Sequence, residues 1–457
     1  MTNYKKLAKG YENKAVATLK QFIKINSVYD STTAKEGQPF GFGVKKALDF
    51  VGKLGKDFGW KVDYVNGYCT ELTIGDEGPL IGIYGHSDVV PATGTWTSAP
   101  FSPEERDGVI YGRGACDDKG PLVAAIYATK LLQDAGLLKG FRVKIVSGGD
   151  EERGSSCLDY YFKKFKGEPA KYAFTPDADY PLIYAEKGMR SYLLTKTLDL
   201  GPITAMDGGV VTNAVCDSLL VTLKSDKKFE EYLKANNVPC DLSSNEFLTV
   251  VRFKGKAAHG STPERGVNAA AIAFKAIGEY YKIKDLTDLV PVINSADGSY
   301  WGGNVVSKEL GACSYNYGIV KYEKRTKTLS MTLDFRFGEE ANRDDLVAAL
   351  VKKTGCVATP LGEGHNHLLF DKKSPLVSTL MKAYKHETFD LFAKPLAIGG
   401  GTYAKEAPNC VAFGAVFPAN REIQGNMHSP NEFISRKDFM KDIAIYARAI
   451  YMLGNLK

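Results

Sequence analysis

The stretch FRVKIVSGGDEERGSSCLDYYFKKF (141–165) decides the fold. Its first part is predicted to be a β-strand, and its last part places Leu158, Tyr161, Phe162 and Phe165 at the i, i+3, i+4, i+7 spacing of a helix. Three adjacent acids, residues 150–152, separate the two. A charge run of this kind is usually a solvated turn. Here it follows a strand, and in α/β sheets the chemistry collects at the carboxyl ends of strands.

The same rhythm recurs through the first part of the chain and again near its end. PLIGIYG (79–85) is a nearly continuous apolar strand, which is typical of burial on both faces of a sheet. PLVAAIYATKLLQDAG (121–136) is predicted to be a helix, with Pro121 in its first turn and Gly136 at its C-terminal cap. We therefore predict an α/β catalytic domain, a mixed sheet sandwiched by helices, formed by residues 1–188 and 376–457.

The middle of the chain has a different pattern. FLTVVRFKGKAAHGS (247–261) and TLSMTLDFRF (328–337) alternate as strands do, and each is followed by a helical pattern. These strand-then-helix units predict an α+β lid domain, residues 189–375, inserted into the first domain.

Composition narrows the class of protein. The 457 residues are 44% hydrophobic and 25% charged, as in a soluble globular protein, and the net charge of +6 includes no long basic block. We therefore expect no nucleic-acid partner. The chain begins without an apolar core of signal-peptide length and has no run of about 18 apolar residues, so we expect a cytoplasmic protein without a membrane span. The eight cysteines are scattered, which indicates reduced thiols.

Two motifs place candidate ligands at strand ends. In YGHSDVVP (84–91), His86 and Asp88 are two apart and face one side of an extended chain. Imidazole is a good metal ligand that a carboxylate commonly orients, although a structural histidine fits equally well. In YGRGACDDKGP (111–121), glycines bracket Asp117 and Asp118 before a helix. One aspartate would satisfy an N-cap, and two indicate more.

Three further motifs add acids and a histidine. They are the acidic run itself, FTPDADYP (174–181) and GNMHSPNEFI (425–434). FTPDADYP alone favours a simple Pro-Asp turn. Taken together, the five motifs supply two histidines and several carboxylates at successive strand ends, which is the ligand chemistry of a two-metal hydrolytic site.

These motifs resemble a clan of metallopeptidases that includes aminoacylases, glutamate carboxypeptidases and dipeptidases. The matching segments occur in family order: GHSDVVP, GRGACDDKGP, DEERGS, FTPDADYP, KAAHGSTPERGVNA, IGGGTYA and MHSPNE. The pattern is most similar to the PepV-like dipeptidases, because of FTPDADYP, GGGTYA and the large middle domain.

The resemblance implies a role for each matching residue of the catalytic domain. His86 and Asp177 would hold one metal, Glu152 and His428 the other, and Asp117 would bridge them. A cis peptide often follows this aspartate in the family. Asp88 would brace His86, and Glu151 would be the general base, which takes a proton from the attacking water and delivers it to the leaving amine.

The resemblance also implies roles for residues of the lid, His259, Asn213 and Arg336, and the glycine run of IGGGTYA is a further candidate. His259 would stabilise the oxyanion, with a polar cap before the next helix as the alternative. Asn213 and Arg336 would grip the substrate, although a surface arginine on a strand fits Arg336 equally well. Gly399, Gly400 and Gly401 could present backbone N–H groups to an anion, or could form a flexible turn.

Three functions remain open at this point. The first is a two-metal dipeptidase for Xaa-Xaa or β-Ala-Xaa peptides, the second a deacylase or amidase for N-acyl amino acids, and the third a non-catalytic binding protein. The third predicts the loss of a ligand or of the base, and every expected position is filled. Zinc suits the ligand set, and manganese or cobalt would also fit. The long lid can supply His259 within one chain, so we expect a monomer.

Overall fold

The computed structural model describes residues 2–421 and 423–456. The chain divides into two compact units: residues 1–185, 369–397 and 401–457 form the first, and residues 186–368 and 398–400 form the second. The predicted inserted segment, 189–375, overlaps the second unit but omits residues 398–400. No helix in the described ranges has the length and apolar character that crossing a bilayer requires.

The α-helices of the described residues follow the chain in this order: α1 Tyr4–Lys9, α2 Glu12–Ile23, α3 Phe42–Asp57, α4 Lys119–Asp134, α5 Ser156–Lys163, α6 Lys227–Ala235, α7 Ala269–Tyr280, α8 Lys284–Ile293, α9 Arg343–Thr354, α10 Pro375–Thr388 and α11 Arg436–Gly454.

The strands follow the chain in this order: β1 Lys61–Val65, β2 Cys69–Ile74, β3 Leu80–His86, β4 Glu104–Arg106, β5 Val109–Tyr111, β6 Arg142–Gly148, β7 Tyr172–Thr175, β8 Ala178–Asp179, β9 Ile183–Glu186, β10 Gly188–Thr197, β11 Ile203–Gly208, β12 Ser218–Lys224, β13 Cys240–Ser244, β14 Leu248–Lys254, β15 Val306–Ser307, β16 Gly311–Ala312, β17 Ser314–Glu323, β18 Thr328–Phe337, β19 Val357–His365, β20 Leu368–Leu369, β21 Leu396–Ile398, β22 Cys410–Ala412, β23 Ala415–Val416 and β24 Phe433–Ser435.

A mixed sheet forms the centre of the first unit. Its strand order is β1-β2-β6-β3-β7-β22-β9-β20, with β21 paired to β9. Strand β3 pairs in parallel with both β6 and β7, and all seven of its residues are buried. Burial on both faces explains why its sequence is an almost continuous apolar run. The three parallel strands end on the same edge of the sheet, at His86, Gly148 and Thr175.

Helices pack around this sheet largely as predicted. Helix α4 ends at Asp134, and Gly136 follows with a φ of +65°, the left-handed conformation that suits a glycine after a helix. The sequence prediction for α5 was wrong in one detail, because it extended the helical pattern to Phe165. The helix ends at Lys163, so Phe165 lies beyond it and is 40% exposed, whereas Leu158 and Tyr161 lie in the helix and are buried.

An antiparallel sheet forms the second unit, with the strand order β13-β14-β12-β11-β17-β18-β10-β19. Its core contains residues of α6, α7, α8 and α9. The two strand-then-helix patterns predicted from sequence correspond to β14 followed by α7 and to β18 followed by α9. The predicted fold class, a mixed α/β sheet with an inserted α+β unit, is confirmed.

Candidate metal centre

The loops after three neighbouring strands carry the candidate ligands of the first unit. His86 is the last residue of β3, Glu152 follows β6 in a short 3₁₀ turn, and Asp177 follows β7. Asp117 lies just before α4, and His428 lies before β24. Because parallel strands end at one edge of the sheet, these loops bring distant parts of the sequence together.

The ring of His86 is fully buried and held from both sides. Its Nδ1 lies 3.0 Å from the main-chain oxygen of Asp88, and its Nε2 lies 2.9 Å from Asp117 Oδ1 and 3.7 Å from Asp177 Oδ2. A carbonyl oxygen only accepts hydrogen bonds, so Nδ1 carries the proton. In the neutral ring this leaves the lone pair of Nε2 directed at the carboxylates, as metal ligation requires.

The second group of candidate ligands surrounds the ring of His428. Its Nε2 lies 2.9 Å from Asp117 Oδ2 and 3.1 Å from Glu152 Oε2. The ring is 53% exposed, so this side of the centre is more open than the side of His86.

Both groups contain Asp117. His86, Asp117 and Asp177 have ligand atoms within 4.8 Å of one another, and so do Asp117, Glu152 and His428. One oxygen of Asp117 faces His86 and the other faces His428. The carboxylate is thus shared between two sets of three side chains, and this arrangement can serve two cations at once.

Burial and mutual repulsion govern the protonation of these acids. Burial, followed by the neighbouring Asp117 carboxylate, raises the pKa of Asp177 to about 7. Burial also opposes ionisation of Asp117, but the hydrogen bonds that the protonated rings of His428 and His86 donate without bound metal outweigh it and hold the pKa of Asp117 below its usual range. Hydrogen bonds to Asp117 and Glu152 raise the pKa of His428 to about 11. Positive charge would therefore stabilise the ionised carboxylates of this cluster, and divalent cations would supply it.

The acidic run contains three acids with different surroundings. Asp150 is buried and accepts a hydrogen bond from the Ser156 hydroxyl. Burial raises the pKa of Glu151 well above its usual range. The Asp88 carboxylate accepts the main-chain N–H groups of Glu151 and Glu152, each at 3.2 Å, and its Oδ1 lies 3.5 Å from His86 Nδ1. Asp88 thereby ties the end of β3 to the acidic loop.

Asp118 does not act as a helix cap, although it occupies the N-cap position of α4. Its side chain makes no capping hydrogen bond, and its Oδ2 accepts the main-chain N–H of His86 at 3.0 Å. The Asp117–Asp118 peptide bond is cis, as the resemblance implied. The second aspartate of the motif thus supports the histidine at the end of β3.

Glu432 is a structural partner of the centre that sequence reasoning missed. It is fully buried and accepts the N–H of Asp117 at 3.1 Å, while Arg113 pairs with its other oxygen at 2.7 Å. The signal was present, because Glu432 ends the quoted segment MHSPNE. A second signal was Arg113, which lies in the segment GRGACDDKGP. The ion pair of Arg113 with Glu432 connects that segment to MHSPNE.

The remaining predicted site residues lie mainly in the second unit. His259 is not a helix cap, because Asn268 caps α7 with its side chain. Arg336 is not a surface residue, since it is 3% exposed and donates to Asp334 at 3.0 and 3.1 Å and to the Gly399 oxygen at 2.7 Å. Asn213 accepts the N–H of Gly260 through its main-chain oxygen at 2.7 Å.

The three glycines of the predicted anion nest fall on both sides of a unit boundary. Gly399 and Gly400 belong to the second unit and Gly401 to the first. The roles of these glycines, like those of His259, Asn213 and Arg336, stay predictions.

Comparison with known proteins establishes the family. The model of peptidase family M20/M25/M40 matches residues 82–452, and the chain belongs to this family. The metallopeptidase resemblance stated from the motifs is thereby confirmed, as is the prediction of an enzyme.

Curated relatives match over nearly the whole chain. A putative dipeptidase of Staphylococcus epidermidis is 32% identical over 464 residues, which cover 97% of this chain and 97% of the relative. A putative dipeptidase of Staphylococcus aureus is 31% identical over 471 residues, which cover 98% and 99% of the two chains.

Solved structures share the fold at low identity. Human carnosine dipeptidase 1 has a TM-score of 0.59 at 14% identity, with 99% of this chain and 98% of that chain covered. The dipeptidase Dug1p of Saccharomyces cerevisiae has a TM-score of 0.58 at 13% identity, with 99% and 98% covered. At these identities the likeness shows the fold alone.

Proposed function

We propose that this protein is a two-metal dipeptidase that hydrolyses the peptide bond of Xaa-Xaa or β-Ala-Xaa dipeptides. One observation carries the proposal: two sets of three ligand side chains share the carboxylate of Asp117. The relatives of similar length support the choice of substrate class, since they are named putative dipeptidases.

The chemistry of the donors fits divalent cations. His86 and Asp177 would hold one ion, Glu152 and His428 the other, and Asp117 both. Three carboxylates with one imidazole per metal suit zinc, and manganese or cobalt is the alternative. Two bound cations would lower the pKa of a water molecule and polarise the scissile carbonyl group.

Glu151 is the general base in this proposal. It lies next to the ligand Glu152, and burial keeps the pKa of its carboxyl well above the usual range. A carboxylate with a raised pKa is a better proton acceptor near neutral pH. Glu151 would take a proton from the attacking water and then deliver it to the amine that leaves. Asp88 would fix the positions of Glu151 and Glu152, because its carboxylate accepts hydrogen bonds from their main-chain N–H groups.

Residues of the second unit are proposed to recognise the substrate. Arg336 and Asn213 would hold its polar groups, and His259 would donate a hydrogen bond to the developing oxyanion. Gly399, Gly400 and Gly401 would present main-chain N–H groups to an anionic end of the substrate. We further propose that the protein is a monomer and acts in the cytoplasm. Size-exclusion chromatography with light scattering tests the oligomeric state.

Metal analysis combined with a substrate panel tests the function. The purified protein, dialysed against excess zinc and then freed of unbound metal, is expected to retain two equivalents of metal per chain. It is then assayed against dipeptides, β-alanyl dipeptides, tripeptides and N-acetyl amino acids, each with added zinc, manganese or cobalt. Hydrolysis of dipeptides well above the rest supports the proposal. Preference for N-acetyl amino acids would instead identify a deacylase, and one equivalent of metal would rule out the shared centre.

A further inference from the structure

The ring of His259 contacts a side chain and a main-chain group of the same residue, Ser261. Its Nδ1 lies 3.2 Å from the Ser261 main-chain nitrogen, which donates its N–H to the ring. The Ser261 hydroxyl oxygen lies 2.6 Å from the same Nδ1. Both contacts join the ring to the loop that follows it and lie within the second unit.

These contacts determine which ring nitrogen carries the proton. A main-chain N–H can only donate, so Nδ1 must be the acceptor and cannot carry a proton. The Ser261 hydroxyl then also donates to Nδ1, because that nitrogen has no hydrogen to give. A neutral imidazole with an unprotonated Nδ1 has its proton on Nε2. The opposite tautomer would leave the Ser261 N–H facing a second donor.

We propose that Ser261 is a positioning residue for His259, which it holds in the tautomer with the proton on Nε2. This tautomer presents Nε2–H as the hydrogen-bond donor that an oxyanion needs. The inference rests on the proposed function for its catalytic meaning, but the tautomer itself is a property of the free protein. Ser261 acts only through the ring of His259.

The surrounding loop restricts the main chain of His259. Gly260 donates its N–H to the main-chain oxygen of Asn213 at 2.7 Å, and a Cβ at residue 260 would lie 2.5 Å from Asp334 Oδ2. Only a glycine therefore fits between His259 and Ser261 without moving Asp334. The contacts of Ser261 to Nδ1 then add to the restraint on the ring itself.

Nitrogen NMR of the histidine rings tests the tautomer without any substrate. The full chain is labelled with ring-¹⁵N histidine, and the signals of His259 are assigned by their loss in His259→Gln. In the wild type we expect the shift of Nδ1 to be that of an unprotonated nitrogen and the shift of Nε2 to be that of a protonated one. Ser261→Ala removes the hydroxyl contact at 2.6 Å and keeps only the longer main-chain contact at 3.2 Å, so we expect both shifts to move part of the way toward the average of a tautomer mixture. A protonated Nδ1 in the neutral wild-type ring would overturn the proposal.

Kinetics test whether the tautomer serves the reaction. Loss of the hydroxyl contact is expected to lower kcat by about fivefold to tenfold, with KM within about twofold, because the lost interaction acts in the transition state. Ser261→Thr keeps a hydroxyl and is expected to restore kcat. Ser330→Ala is the matched control, since the Ser330 hydroxyl donates an exposed hydrogen bond to the Lys321 oxygen at a long 3.5 Å.

The two readouts separate failure of this inference from failure of the proposed function. If no dipeptide is hydrolysed by the wild type, the ring shifts still decide the tautomer. If Ser261→Ala shifts the tautomer but leaves kcat unchanged, the positioning role is refuted. If kcat/KM falls in Ser261→Ala and Ser261→Thr does not restore it, the positioning role is contradicted as well, since the hydroxyl would then not be the group responsible.

Discussion

Glu432 accepts a hydrogen bond from the main-chain N–H of Asp117 at 3.1 Å. The same oxygen also accepts the N–H of Cys116 at 2.9 Å, and the other oxygen pairs with Arg113, each of the two side chains being 1% exposed. The main chain of Asp117, the residue shared between the two ligand groups, is therefore held by Glu432, which comes from a distant part of the chain and forms a buried ion pair with Arg113. Removing one partner of such a pair leaves an uncompensated charge and disturbs the loop that it holds.

Substitution of Glu432 by glutamine should weaken metal binding. The amide keeps the shape but loses the charge that satisfies Arg113, so the loop of Asp117 loses its support. We expect metal affinity to fall by about tenfold to a hundredfold, as for other residues that orient ligands. Competition with a fluorescent zinc chelator measures this. Glu363→Gln, at an exposed position, is the control, and equal affinities of the two variants would contradict the prediction.

Substitution of Glu151 by glutamine should abolish turnover and leave the metals bound. Glutamine cannot accept the proton of the attacking water, so we expect kcat to fall by about 10²–10⁴-fold. The adjacent Asp150 provides a matched comparison, because its carboxylate contacts Ser156 instead. Asp150→Asn can still accept that hydrogen bond and is expected to retain most of the activity. If Glu151→Gln hydrolyses dipeptides at the wild-type rate with two metals bound, another group is the base.

Local sequence patterns predicted that histidines and carboxylates gather at strand ends of the first unit, but the patterns alone did not identify the ligands. His86, Glu152 and Asp177 each lie at or just after the end of an apolar strand, so the rule that chemistry lies at strand ends indicates their loops. It did not single out Glu152 among three adjacent acids, and FTPDADYP alone favoured a simple turn. Asp117 and His428 needed the resemblance, because neither directly follows a central strand. The structure brings all five together, although only the resemblance assigns them to particular metals.

Long-range pairing accounts for what the sequence did not predict. The second sheet places β10 between β18 and β19, strands far apart in the chain, and no local periodicity encodes such neighbours. Asp118 shows the same limit at the level of one residue. Its position before α4 favours an N-cap, but its partner is the main-chain N–H of His86, more than thirty residues earlier. The end of α5 was misplaced for a different reason, since an apolar residue at helical spacing does not itself extend a helix.

Substitution of Arg336 by lysine should impair recognition of a substrate carboxylate. Arg336 already gives three of its N–H groups to Asp334 and the Gly399 oxygen, and its planar fork can do so while other N–H groups remain. Lysine has a single nitrogen and cannot reproduce this geometry. We expect KM for a dipeptide to rise by about tenfold or more, whereas KM for the corresponding dipeptide amide should change little. A similar rise in KM for both substrates would show that Arg336 supports the fold and does not bind the substrate carboxylate.

Asp442 should make the stability of the protein depend on pH. It is fully buried on α11, and burial, followed by the nearby Asp438, raises the pKa of its carboxyl well above the usual range. The folded chain thus keeps a proton that the unfolded chain loses above a pH of about 3.9. The stability that Asp442 contributes is therefore full below that pH and is lost as the pH rises toward the folded pKa.

Substitution of Asp442 by asparagine should remove this loss, because an amide side chain does not ionise. We expect the Tm of Asp442→Asn to exceed that of the wild type at pH 8 by roughly 2 °C or more, and the advantage to shrink at pH 5. Circular dichroism at the two pH values, with metal at a fixed saturating concentration, measures the difference. Asp76→Asn, at an exposed position, controls for the general effect of removing a charge. A Tm difference between Asp442→Asn and the wild type that is the same at both pH values would show that the carboxyl does not titrate on folding.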